Sequence, residues 1–169
     1  MAEVRFRLEN GDPAPEIELL DTDGQPWKLS DYRGKMVILH FCRGVYCHTT
    51  RGEFALWSTF NHIFQAMNAE LVFVVRGGRE QHREYRETWS IRPRILIDEE
   101  GKVGEDYGIY RPNSHEIEAY PNYKASALYL IDSKGAVSQF WLLSGPRGRP
   151  DPECLLGILA LAKENDWTY

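Results

Sequence analysis

Apolar and polar positions come in blocks along this chain, and the blocks predict alternating strands and helices. Met36 to Phe41 is almost unbroken apolar sequence, as expected of a strand covered on both faces. From Arg51 to Met67 the apolar positions change period. Leu56, Phe60, Ile63 and Met67 mark one face of a helix, and Phe54, Trp57 and Phe64 widen it. Leu71 to Val75 (LVFVV) is a second buried strand. Arg79 to Trp89 reads as a polar helix with one narrow apolar side, Arg94 to Ile97 as a short strand, and Glu99 to Tyr107 as a short helix or turn.

Turn chemistry divides the remainder. Two short strands flank Asp23-Gly24 near the N-terminus, and Arg33-Gly34 forms a tight turn before the first core strand. Ala127 to Ile131 and Val137 to Leu143 flank Asp132-Ser133-Lys134-Gly135 and predict a hairpin. Asp151 and Pro152 suit the N-cap and first turn of a closing helix that runs to about Lys163. Strand–helix alternation followed by a hairpin and a helix predicts an α/β domain with a mixed sheet, one domain over residues 1–169. Right-handed crossovers start the first long helix at the carboxyl edge of its strand, the edge where open α/β sheets carry their chemistry. The segment HFCRGVYCHTTRGEF, His40 to Phe54, falls there.

Composition narrows the function classes. The chain has 169 residues, a net charge of -5 and a pI near 5.6. It has no long Lys/Arg run, which argues against nucleic acid or an anionic membrane as a partner. No apolar run approaches the roughly 20 residues of a membrane span, and the N-terminal stretch lacks a signal-peptide core, so a cytoplasmic location is the expectation. Cys42, Cys47 and Cys154 are too few, and of the wrong parity, for a disulfide scaffold. In a reducing compartment, thiols at a strand–helix junction are candidates for redox chemistry, for metal binding, or for plain burial.

The order GDPAPEIELLDTDG, LSDYRGKMVILHF, YGIY and ALYLIDSKGAVSQF resembles the peroxiredoxin (alkyl hydroperoxide reductase and thiol-specific antioxidant) family over most of the chain. The resemblance implies a thioredoxin-like fold, with a central mixed sheet flanked by helices and an N-terminal β-hairpin. It also implies a thiol oxidoreductase that reduces peroxide or disulfide, an antioxidant activity without a cofactor. A thioredoxin-like protein or glutathione would be the reductant, and a homodimer is common in the family. The active-site pattern departs from the family at two places. In an ungapped register anchored by Phe41 and Glu53, the peroxide-reactive cysteine falls on Thr50. A second pattern in the family, Phe-Tyr-Arg-Gly-x-Trp-Cys-Pro-x-Cys-Arg-x-Glu-Leu, puts Cys47 on its first cysteine and Thr50 on its second, giving Cys-x-x-Thr with His48 at the usual proline. Downstream, Ser126 stands where the family carries a peroxide-binding arginine, with Lys124 the nearest cation.

Cys47 at a helix N-terminus would gain acidity from free N–H groups and from Arg43 and Arg51, and His48 would be placed to exchange a proton with it. Thr50 would cap a backbone N–H or orient substrate; Glu53 would be a solvated or capping carboxylate, although the resemblance implies that it helps order the site. Cys154 is a candidate resolving thiol if the last strand runs parallel to the first core strand. Cys42, facing the same side of the sheet as His40, reads as a small buried hydrophobe. A metal set of His40, Cys42, Cys47 and His48 has the wrong spacing for a zinc finger, so no metal is expected. Cys47-His48 lacks the upstream cysteine of a haem-attachment motif. His62, His82 and His115 read as surface or core residues, and Arg76-Gly77-Gly78-Arg79 as a turn in preference to an anion site at the helix N-terminus. Trp27, Trp57, Trp89 and Trp141 are assigned to the core and hairpin faces. The rival to an enzyme is a redoxin-fold binding module or redox sensor that has lost turnover.

Overall fold

The computed structural model describes residues 8–109, 126–143 and 150–165. Its elements, in chain order, are β1 (Glu18–Asp21), β2 (Pro26–Lys28), a 3-10 turn (Leu29–Tyr32), β3 (Met36–Cys42), α1 (His48–Ala66) and β4 (Ala69–Val75). They continue with α2 (Arg79–Thr88), β5 (Arg94–Ile97), α3 (Lys102–Asp106), β6 (Ser126–Ile131), β7 (Val137–Leu143) and α4 (Pro152–Asn165). The strands form one mixed sheet in the order β2-β1-β5-β4-β3-β6-β7. β3 and β4 are parallel, as are β4 and β5, while β6 lies antiparallel to both β3 and β7. The α/β class, the mixed sheet and the N-terminal hairpin agree with the sequence expectation.

β3 lies inside the sheet, and its alternate side chains serve two cores. Val37, Leu39 and Phe41 pack on one face with Val72, Val74, Tyr107 and Tyr129. Ile38 and Cys42 pack on the other with Phe54, Trp57 and Phe64 of α1 and Leu155 and Leu159 of α4. Burial on both faces is why β3 reads as continuous apolar sequence.

The helical face of α1 differs from the expectation. Phe54, Trp57 and Phe64 form the buried line, joined by the polar Thr50, Glu53 and Asn61, whereas Leu56 is 48% exposed. Helix α1 starts at His48 with Cys47 as its N-cap, the position expected for that cysteine, three residues before the apolar period begins, because a first turn of His-Thr-Thr carries no hydrophobic signal. Trp89 lies outside the core at 63% exposure, just past α2, contrary to its assignment to a buried face.

Because β7 is antiparallel to β6 and β6 to β3, β7 runs parallel to β3, and α4 begins at the sheet edge where β3 ends. The Asp151 carboxylate accepts the Cys154 N–H at 2.7 Å, confirming Asp151 as the cap of α4.

Candidate active site

The segment between β3 and α1 is short and held at both ends. Gly44 turns the chain with φ +93°, a left-handed conformation that a side chain would resist, and its carbonyl accepts the Cys47 N–H at 3.1 Å. Val45 is buried, and both its backbone groups are engaged. Its N–H donates to His82 Nε2 at 3.2 Å, and its carbonyl accepts from Arg51 Nε at 2.6 Å. His82 Nδ1 lies 2.7 Å from the Gly78 carbonyl. A carbonyl only accepts, so the proton sits on Nδ1 and the Nε2 lone pair is left for Val45. The fully buried His82 is therefore neutral, and burial holds its pKa below the ordinary value.

Cys47 is the N-cap of α1 and is half-buried. Desolvation acts to raise its pKa. The N–H and hydroxyl of Thr50, the Thr49 N–H and the Arg43 charge act the other way and win, leaving the thiol more acidic than its ordinary 9.0. The sulfur makes no side-chain cap hydrogen bond, so the stabilisation is shared among Thr50, Thr49 and Arg43.

The structure sorts the residues expected here. Arg43 is exposed and supplies positive charge to the sulfur. Thr50 is buried, and its hydroxyl acts on Cys47 as well as its N–H, so it is more than a backbone cap. Arg51 is spent on the loop and over the Tyr85 ring, 5.7 Å from its centroid, and not on the sulfur. His48 is exposed on the first turn and is not among the groups that shift the Cys47 thiol. Ser126 opens β6 opposite Leu143; Lys124 and His115 lie outside the described residues. Cys42, Cys47 and Cys154 are all free thiols, Cys42 buried and Cys154 exposed. Arg76 to Arg79 is the turn into α2, with the Arg79 side chain donating to the Thr22 carbonyl at 3.1 Å.

Two features escaped the sequence reading. Glu53 is not solvated: it is 9% exposed, with its carboxylate 3.7 Å from Nε2 of the fully buried His40. The register of Phe54, Trp57 and Phe64 contains the signal, since stepping that stripe back one turn lands on Glu53 and Thr50. His82 as an anchor of the Cys47 loop had no local signal, because its partner lies 37 residues away.

The chain is similar to peroxiredoxins and to a thiol-disulfide oxidoreductase. The chain is 26% identical to peroxiredoxin Bcp of Bacillus subtilis (strain 168) over 134 residues, covering 79% of this chain and 85% of that one. It is 31% identical to thiol-disulfide oxidoreductase ResA of Geobacillus thermodenitrificans (strain NG80-2) over 100 residues, 59% of this chain and 57% of that one. The crystal structure of peroxidoxin BcpB from Mycobacterium tuberculosis superposes with a TM-score of 0.76 at 18% identity, covering 96% of this chain and all of the other. Residues 10–140 match the AhpC/TSA family, and the chain belongs to that family.

Proposed function

We propose that this peroxiredoxin-like thiol oxidoreductase works through Cys47, in the motif Cys47-His48-Thr49-Thr50. The observation that carries the reading is a half-buried sulfur at a helix N-terminus, made more acidic by Thr50, Thr49 and Arg43 against the opposing effect of burial. With a peroxide, the Cys47 thiolate attacks one peroxide oxygen. The O–O bond breaks, the sulfur becomes a sulfenic acid, and the other oxygen leaves as an alcohol or water after taking up a proton. A thiol then condenses with the sulfenic acid, releasing water and leaving a mixed disulfide. A second thiol attacks that disulfide, restoring Cys47 and leaving an oxidised dithiol. With a disulfide substrate, thiolate attack gives the mixed disulfide directly and expels one thiolate.

Thr50 cannot attack the mixed disulfide, and the buried Cys42 is closed to substrates. An outside thiol, glutathione or a thioredoxin-like protein in a cytoplasmic setting, resolves the intermediate. Cys154 is the remaining internal candidate, on the same sheet edge and exposed. Consumption of a hydroperoxide or a small disulfide with excess glutathione should saturate with substrate and vanish in Cys47→Ser, with the fold retained by circular dichroism. Turnover that survives Cys47→Ser overturns the proposal. The hydroxyl at Thr50 favours a second reading, a sensor that reacts once and is not recycled; it predicts one modification per chain and no sustained consumption.

A further inference from the structure

We propose that His40, Cys42 and Glu53 form a binding site for one borderline divalent transition ion of the zinc type, beneath the first turns of α1 and apart from the Cys47 sulfur. The ligand atoms of these three residues all lie within 4.8 Å of one another. His40 and Cys42 are i and i+2 on β3, so the pleat sends both to the α1 side of the sheet. Glu53 meets them from α1, and its carboxylate stands 3.7 Å from His40 Nε2. Donors in a tetrahedral zinc site lie about 3.3–3.8 Å apart. The histidine–carboxylate pair, at 3.7 Å, is within a few tenths of an ångström of the roughly 3.3–3.6 Å that nitrogen and oxygen donors need, and small side-chain rotations would close it and bring in the sulfur. The His40 ring is braced by Trp57 at 4.8 Å and Phe73 at 5.6 Å between ring centroids, which limits its freedom to turn away.

Thiolate, imidazole and carboxylate together select a borderline ion over calcium or magnesium, which prefer oxygen donors alone. Charge supports the assignment. One thiolate, one carboxylate, a neutral imidazole and a divalent cation sum to zero, which lowers the cost of burial. Binding requires the Cys42 thiol, which donates to the His40 carbonyl at 3.4 Å, to lose its proton to buffer. Three protein donors leave a tetrahedral ion one position short. Glu53 has a side chain 11% exposed beside a fully buried His40, so a water would complete the shell from the carboxylate side. The ion would tie the end of β3 to α1. This inference does not rest on Cys47 being the redox nucleophile.

The test is titration of the full, reduced chain with Co2+, followed by thiolate-to-cobalt charge-transfer absorption in the near ultraviolet and by displacement with Zn2+. The expected result is one equivalent bound, with the band kept in Cys47→Ser and in Cys154→Ser and lost in Cys42→Ser. Glu53→Gln should keep a thiolate band while weakening Co2+ binding by at least about tenfold; it serves as the second readout if Cys42→Ser fails to fold. Absence of any band in the wild-type chain, a band lost in Cys47→Ser, or unchanged affinity in Glu53→Gln overturns the site.

Discussion

Replacing Thr50 by valine removes one hydroxyl from the group of donors that acidifies Cys47 and keeps nearly the same volume at a buried position. A hydrogen bond to a charged group contributes about 1.5–3 kcal/mol. Here the sulfur is half-solvated, so about 1 kcal/mol is the better figure, and the Cys47 pKa should rise accordingly. Rate should then change in opposite directions at the two ends of the pH range. Well below both pKa values the thiolate fraction falls about fivefold, while each thiolate becomes about twofold more nucleophilic, so alkylation slows about two- to threefold. Well above both values, only the gain in nucleophilicity remains, and the variant reacts about twofold faster.

The assay is the pH dependence of Cys47 alkylation by iodoacetamide, read by intact mass in a Cys154→Ser background. Thr50→Ser is the control that keeps the hydroxyl and should titrate close to wild type. A valine variant that titrates at or below the wild-type pKa refutes the reasoning. So does a serine variant that shifts as far as valine, because the effect would then come from packing and not from the donor.

Other consequences can be measured directly. His82 accepts the Val45 N–H only while neutral, and burial holds its folded pKa below the ordinary 6.5. The unfolded chain therefore binds the extra proton first. Stability should be complete above about pH 6.5 and fall below it by up to ~1.4 kcal/mol per pH unit while the folded ring stays neutral; urea midpoints against pH should show this slope, and His82→Gln should flatten it. Gly44→Ala forces a Cβ onto a left-handed backbone at φ +93° and should cost about 1–2 kcal/mol in urea unfolding, with a raised Cys47 pKa as the loop relaxes. The Asp98 carboxylate accepts the N–H groups of Val103 and Gly104 at 3.2 and 2.7 Å, so Asp98→Ala should lower stability by about 2–3 kcal/mol, with Asp98→Asn losing less.

The strands were legible because both faces of the central ones are buried, and burial writes itself as continuous apolar sequence. β5 was read to the residue for that reason, and the hairpins were announced by turns at Gly24 and Gly135 with positive φ. The face of α1 was harder to assign. Two apolar lines run along it, and only tertiary packing decides between them. The sheet and α4 share one core with Phe54, Trp57 and Phe64, whereas Leu56 is left 48% exposed. Phe60 and Met67 do pack against that core, but placing Leu56 on the face concealed the burial of Glu53. Cys47 could be found because helix N-termini act on nearby side chains through local backbone. His82 could not, because its hydrogen bond to Val45 depends on how α2 docks.

The first two turns of α1 face two ways at once, and that limits what a threonine at position 50 can mean. Thr50 sits in the buried line with Glu53, so the position demands a side chain that fits the interior. Its hydroxyl, however, acts on the sulfur of the N-cap. Threonine meets both demands: it fills the space and retains a donor. It gives up the ability to displace a thiol bound to Cys47, since a hydroxyl at neutral pH is too weakly acidic to attack a disulfide. The site therefore keeps what favours a thiolate at Cys47 and loses what would make resolution local. In a Cys154→Ser background a mixed disulfide at Cys47 should then persist until an outside thiol arrives, with a release rate proportional to that thiol's concentration. A redoxin with a second cysteine at this position would release it at a rate independent of added thiol. That kinetic order separates chemistry that has moved its second step to a partner from a site that has lost turnover.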